Sequence, residues 1–158
     1  MIYDFNADDV FTIAEQLERN GARFYREAAE KVTAQGARDL LLRLAGMEDE
    51  HEKTFAQMHA QLKEAERAAT VFDPEGEAAA YLKALADMRV FFDKKMDTSS
   101  LEGILKEAIG AEKDSIVFYL GMKEAVPEHL GRNRVEAIIR EEMGHIRLLS
   151  AELAALKK

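Results

Sequence analysis

One arrangement of chemistry-bearing residues occurs twice in this chain: a Glu, then a Phe-Tyr pair, then a Glu three residues before a His. The first copy is Glu18, Phe24-Tyr25 and Glu48-x-x-His51; the second is Glu112, Phe118-Tyr119 and Glu142-x-x-His145. Corresponding positions lie 94 residues apart, and 30 residues separate the two Glu of each copy. Weaker matches continue in the same register, joining Ala14 to Ala108, Glu30 to Glu124, Val32 to Val126, Arg38 to Arg132 and Leu62 to Leu156. A single Glu-x-x-His would mean little in a Glu-rich chain, whereas its repetition with the same flanks marks a duplicated unit. Carboxylates and imidazoles at this spacing suit a pair of first-row transition metals held between helices.

Helical periodicity puts these residues on apolar faces. Glu18 shares its face with Phe11, Ala14, Ala22, Tyr25 and Ala29, and Glu48 with Leu41, Leu44, His51, Phe55 and Met58. Glu112 falls with Leu105, Ala108, Ile116 and Tyr119, and Glu142 with Val135, Ile138, Ile139, His145 and Leu149. An ionised carboxylate in a dry core costs at least several kcal/mol unless compensated. No Lys or Arg shares these stripes, so two divalent cations balancing the four carboxylates is the arrangement that closes the charge. A Glu from each of two helices with a Glu-x-x-His from each of two others is a known dinuclear ligand set. Tyr25 and Tyr119 read either as plain core aromatics or as hydroxyl donors to a ligand carboxylate. Glu15, Glu27, Glu50, Glu52, Glu107, Glu136 and Glu141 fall off the inner stripes or at their margins and are expected in solvent or weak surface pairs. His59 and His129 have no Glu three residues before them and are not expected to be ligands.

The elements that must position these groups are helices. Asn6 with Asp8 and Asp9 opens one at about residue 7, running to about 32. A short turn over 33–36 makes the next helix, about 37–67, its antiparallel neighbour, and Thr70-Val71-Phe72-Asp73-Pro74 stops that helix. A shorter helix is expected within 75–93, inside a connection too long to be structureless. Asp97-Thr98-Ser99-Ser100 caps a helix of about 99–125, and Pro127 with Gly131 turns the chain into a last helix of about 128–157. The expected fold is all-α, a four-helix bundle of two hairpins joined by a long crossover that contains a short helix.

Composition narrows the function. With 158 residues, 47% hydrophobic and 33% charged, the chain reads as one globular domain over 1–158. A net charge of −8 with no basic stripe argues against nucleic acid as a partner. The lack of a long apolar run and of a signal-like N-terminus argues against a membrane and for the cytoplasm. With no Cys there is no disulfide, thiol nucleophile or iron-sulfur cluster, so redox chemistry must use oxygen and nitrogen ligands and draw electrons from another molecule.

The segments LERNGARFYREAAEK, LAGMEDEHEKTF, IGAEKDSIVFYL and IIREEMGHIRLL resemble the rubrerythrin-type branch of the ferritin-like superfamily. The resemblance covers nearly the whole chain. It implies a non-haem centre of two iron ions, with manganese the alternative, that reacts with hydrogen peroxide or dioxygen as part of an oxidative-stress response. It assigns Glu18, Glu48, His51, Glu112, Glu142 and His145 as metal ligands, with Glu48 and Glu142 bridging. It also implies a homodimer and an external electron donor such as a rubredoxin-like protein. Two departures stand against efficient peroxidase turnover: Ser115 occupies the place one turn after Glu112 where such peroxidases carry a further carboxylate, and these residues include no rubredoxin-type domain. Ser115 is expected to face the metals, or else to be a small packing residue like Gly21 at the equivalent place. The competing functions are ferrous-iron oxidation for storage or delivery, and a non-catalytic bundle stabilised by metal.

Overall fold

The computed structural model describes residues 6–62, 77–87 and 98–157. These form five α-helices, α1 (Ala7–Lys31), α2 (Gln35–Ala60), α3 (Glu77–Asp87), α4 (Leu101–Ala125) and α5 (Arg132–Ala155), with a 3-10 helix over Glu128–Leu130. No strand occurs among the described residues. No described helix is long and apolar enough to cross a membrane.

Local chemistry sets the helix starts. Asn6 and Asp9 form a capping box: the Asn6 side chain accepts from the Asp9 amide at 3.2 Å, and Asp9 accepts from the Asn6 amide at 2.9 Å. Ser100 caps α4 by accepting from the Gly103 amide at 3.0 Å. Both hairpin turns are closed in the same way. The guanidinium of Arg38 donates to the Val32 carbonyl at 2.8 and 3.2 Å, and that of Arg132 donates to the Val126 carbonyl at 2.8 Å. Each arginine thereby satisfies a carbonyl just past the end of the preceding helix, where no helical partner is available. These are two of the residue pairs that the 94-residue register relates.

The observed boundaries depart from the expected ones at three places. Helix α2 begins at Gln35, two residues early, and its last helical residue is Ala60. The expected continuation to residue 67 and the Thr70–Pro74 stop lie almost entirely outside the described residues, as do the outer parts of the expected 75–93 helix around α3. The last helix is not continuous from 128, because Gly131 takes φ 105° and separates the 3-10 helix from α5. That left-handed conformation excludes most other residues, and a Cβ there would also come 3.0 Å from the Met58 methyl.

Helix α1 packs along α2 and α4 along α5, while α1–α4 and α2–α5 contacts join the hairpins. The core falls into two apolar clusters. One gathers Phe11, Phe55, Met58, Phe118, Tyr119 and Val135, and includes Leu82 of α3; the other gathers Tyr25, Leu41, Leu44, Ile104, Leu105 and Leu149. Every long helix passes from one cluster to the other. Helix α3 docks through Tyr81, whose hydroxyl donates to the Val117 carbonyl at 3.0 Å while its ring crosses Gly121. A Cβ on Gly121 would stand 2.5 Å from that ring. Gly121→Ala should therefore destabilise the protein by about 1–3 kcal/mol through overpacking. Thermal unfolding of Gly121→Ala, Tyr81→Ala and the double variant checks this: the glycine substitution should cost much less once Tyr81 is gone.

Candidate metal centre

The stretch of each long helix between the two apolar clusters carries the duplicated signature. Glu18 lies between Leu17 and Phe24 of α1, Glu48 and His51 between Ala45 and Phe55 of α2, Glu112 between Ala108 and Phe118 of α4, and Glu142 and His145 between Ile139 and Leu149 of α5. These six are the buried charged and polar residues among those described, each 1–4% exposed. The structure brings all six together.

Their ligand atoms form two overlapping groups, Glu18, Glu48, His51 and Glu142, and Glu48, Glu112, Glu142 and His145. Within each group one atom per residue lies within 4.8 Å of all the others. Glu48 and Glu142 belong to both groups, the placement a bridging carboxylate requires. Both imidazoles turn Nδ1 inward. His51 Nδ1 is 2.9 Å from Glu142, 3.2 Å from Glu48 and 3.4 Å from Glu18; His145 Nδ1 is 3.2 Å from Glu112, 3.4 Å from Glu142 and 3.8 Å from Glu48. Proximity does not amount to satisfaction. Among the described residues, both oxygens of Glu142, Oε2 of Glu112 and Nε2 of His145 are buried without a hydrogen-bond partner. Unsatisfied acceptors converging in a dry site cost several kcal/mol unless a cation meets them. An all-carboxylate and imidazole donor set is the chemistry that iron or manganese takes. The residues present therefore fit a dinuclear metal site.

The tyrosines act across the halves. Tyr25 donates its hydroxyl to Glu112 and Tyr119 donates to Glu18, so each binds the carboxylate of the other repeat. Gly21 keeps α1 open over Glu48, since a Cβ there would stand 3.4 Å from Glu48 Oε1. Its counterpart Ser115 is half-buried in α4 and belongs to neither ligand group. His59 is no part of the cluster: it holds Asp8 at 2.8 Å and Glu15 at 3.1 Å and stacks on Phe11, tying α1 to α2. His129 sits in the 3-10 helix, also outside both groups.

One residue expected on the surface reaches the site. The side chain of Glu141 is 50% exposed, yet its carboxylate hydrogen-bonds Nε2 of His51. Helical periodicity relates residues along one helix, and this bond runs from α5 to α2. The residue lies beside a ligand in Glu141-Glu142-x-x-His145, and that adjacency was the signal available.

Electrostatics follow from burial and crowding. Burial, then the neighbouring Glu48 charge, raises Glu142 to about 8. Burial followed by Glu18 and Glu112 pushes Glu48 well above the ordinary carboxylate value, and burial with Glu142 raises Glu18. Burial also opposes a charge on Glu112, but the adjacent Glu142 carboxyl and the His145 imidazole outweigh it and hold that group below the ordinary value. Burial disfavours the charged form of His145, yet Glu112 and Glu142 prevail and raise it to about 10. His51 is raised in the same way, with Glu142, Glu18 and Glu48 overcoming burial. Burial and the adjacent carboxylates raise both tyrosines far up, so they remain O–H donors.

Comparison with known proteins agrees with this geometry. The family model for rubrerythrin matches residues 9–153, so the chain belongs to the rubrerythrin family. A crystal structure of a Thermotoga maritima protein, described as a candidate ferritin-like diiron-carboxylate protein, superposes with a TM-score of 0.71 at 25% identity, covering 98% of each chain. The fold is thus of the ferritin-like diiron-carboxylate kind. A comparison with curated proteins found no match.

The raised groups make the metal-free protein sensitive to alkali. Glu142 contributes stability that is complete below the ordinary carboxylate value and is lost as pH rises through about 8. His145 does the same between its ordinary value and about 10. Glu112, being lowered, acts in the opposite sense and loses its contribution only as pH falls through its depressed value. The thermal midpoint of chelated protein should therefore fall from pH 5 to pH 10. A midpoint that rises over that range would contradict the assignment. Metal binding at pH 7 should release protons from these groups, read by calorimetry as an enthalpy that depends on the buffer.

Proposed function

We propose that this protein is a non-haem di-iron oxidoreductase that reduces hydrogen peroxide, and dioxygen less readily, with electrons from a separate donor protein. The observation that carries the reading is the pair of ligand groups sharing Glu48 and Glu142 in a dry interior with unsatisfied oxygens. Iron is favoured over manganese by the likeness to a protein described as a diiron-carboxylate one. Two ferrous ions held there would supply one electron each to cleave the O–O bond, and Lewis acidity to polarise it.

The chain's own residues do the rest. Glu18 and His51 would hold one ion, Glu112 and His145 the other, with Glu48 and Glu142 holding both. Tyr119 and Tyr25 engage one oxygen of Glu18 and one of Glu112, leaving the second oxygen of each for metal. The Phe and Leu side chains of the two clusters exclude bulk water along the bundle. With no Cys in the chain, the electrons would come from a partner such as a rubredoxin-like protein. A cytoplasmic homodimer is part of the same proposal.

Anaerobic reconstitution with ferrous iron, metal counting and stopped-flow absorbance test it. Two irons per chain should bind, and peroxide should oxidise both with a stoichiometry of one. Iron that binds without changing oxidation state would favour a structural metal, and iron that oxidises and accumulates in a large assembly would favour storage. Glu48→Ala and Glu142→Ala should each lose both metals; loss of one alone would argue against bridging. Ser115→Glu should speed oxidation by peroxide relative to dioxygen at matched iron content, by supplying a carboxylate one turn from Glu112. An unchanged preference would place oxidant selection elsewhere.

A further inference from the structure

The two halves of the site differ at the outer nitrogen of each imidazole. His51 Nε2 is hydrogen-bonded to the Glu141 carboxylate, whereas His145 Nε2 is buried without a partner among the described residues. The 94-residue register explains the difference, because the position equivalent to Glu141 in the first repeat is Met47, half-buried and carrying a thioether. A thioether is too weak an acceptor to hold an imidazole N–H.

We propose that Glu141 is a positioning residue for His51 that makes the Glu18–Glu48–His51–Glu142 half the tighter of two unequal metal sites, so that the metals load in a fixed order. The inference rests on the dinuclear reading above. Both histidines present Nδ1 to the carboxylates, so a metal on Nδ1 requires the proton to sit on Nε2. At His51 that Nε2–H donates to Glu141, which fixes the tautomer, holds the ring plane and makes Nδ1 a stronger donor. At His145 the same N–H lacks an acceptor among the described residues, so binding a metal there leaves a buried donor unpaired. Glu141 belongs to neither ligand group and meets the cluster at His51 Nε2, so it acts on a metal through the imidazole. Removing a partner of this kind lowers metal affinity about 10–100-fold.

The test titrates chelated full-length protein with cobalt(II), following ligand-field absorbance and heat. Wild type should bind two ions in steps separated about 10–100-fold. Glu141→Ala should weaken the first step by that factor and leave the second in place, and Glu141→Gln, whose amide oxygen still accepts, should recover most of the loss. Met47→Glu should tighten the second step. At one equivalent of cobalt, proton NMR should show a slowly exchanging, hyperfine-shifted His51 Nε2–H that is lost in Glu141→Ala. Equal steps in wild type, or an Ala variant that changes neither step or both alike, would overturn the proposal while leaving the dinuclear reading standing. No cobalt binding by wild type would overturn both.

Discussion

Four carboxylates in the middle of a dry helical bundle are the constraint around which this molecule is arranged. Left to themselves, Glu18, Glu48, Glu112 and Glu142 repel one another and have lost their water. The fold answers with protons on some groups, imidazoles beside others and tyrosine hydroxyls on two, and still leaves lone pairs unmet. No apolar bundle of this size needs such a layer for stability, and replacing it with Leu or Met would remove the repulsion. What the layer provides is a buried Glu and His cluster with its donor atoms already converging, compatible with a metal site.

The internal repeat of the sequence is also a physical symmetry. The Arg38 and Arg132 clamps close the two hairpin turns by the same bond, which sets the approach of each helix pair in the same way. Between hairpins the relation is an exchange, with Tyr25 serving Glu112 and Tyr119 serving Glu18. Neither half completes its own set of hydrogen bonds. The exchange couples the halves, so misplacing one hairpin disturbs carboxylates on both. Against this shared frame, the mismatch of Met47 and Glu141 is one point at which the two halves part company.

The buried Glu and His cluster was legible in the sequence because carboxylates on apolar stripes violate ordinary patterning, and violation repeated at a fixed offset is hard to mistake. The four long helices were legible for the opposite reason, their consistent periodicity. What sequence did not reveal depends on how helices meet. The tyrosine partners lie across the bundle, where stripe analysis along one helix says nothing. Glu141 looked like a surface residue, and by exposure it is one; its bond to His51 follows from the approach of α5 to α2. The break at Gly131 was marked as a turn but placed inside a helix, since a positive φ is a property of the backbone that one glycine among nine does not announce.

The position of the ligands along their helices has a dynamic consequence. Each stands more than two turns from either end of its helix, with an apolar cluster on both sides. Helix ends are where native proteins open most cheaply, and such fraying exchanges amide hydrogens without disturbing the interior. In this bundle fraying uncovers no ligand. Opening the Glu and His layer therefore requires cooperative opening of the hairpins, and the amides around Glu48 and Glu142 should belong to the slowest-exchanging unit of the molecule.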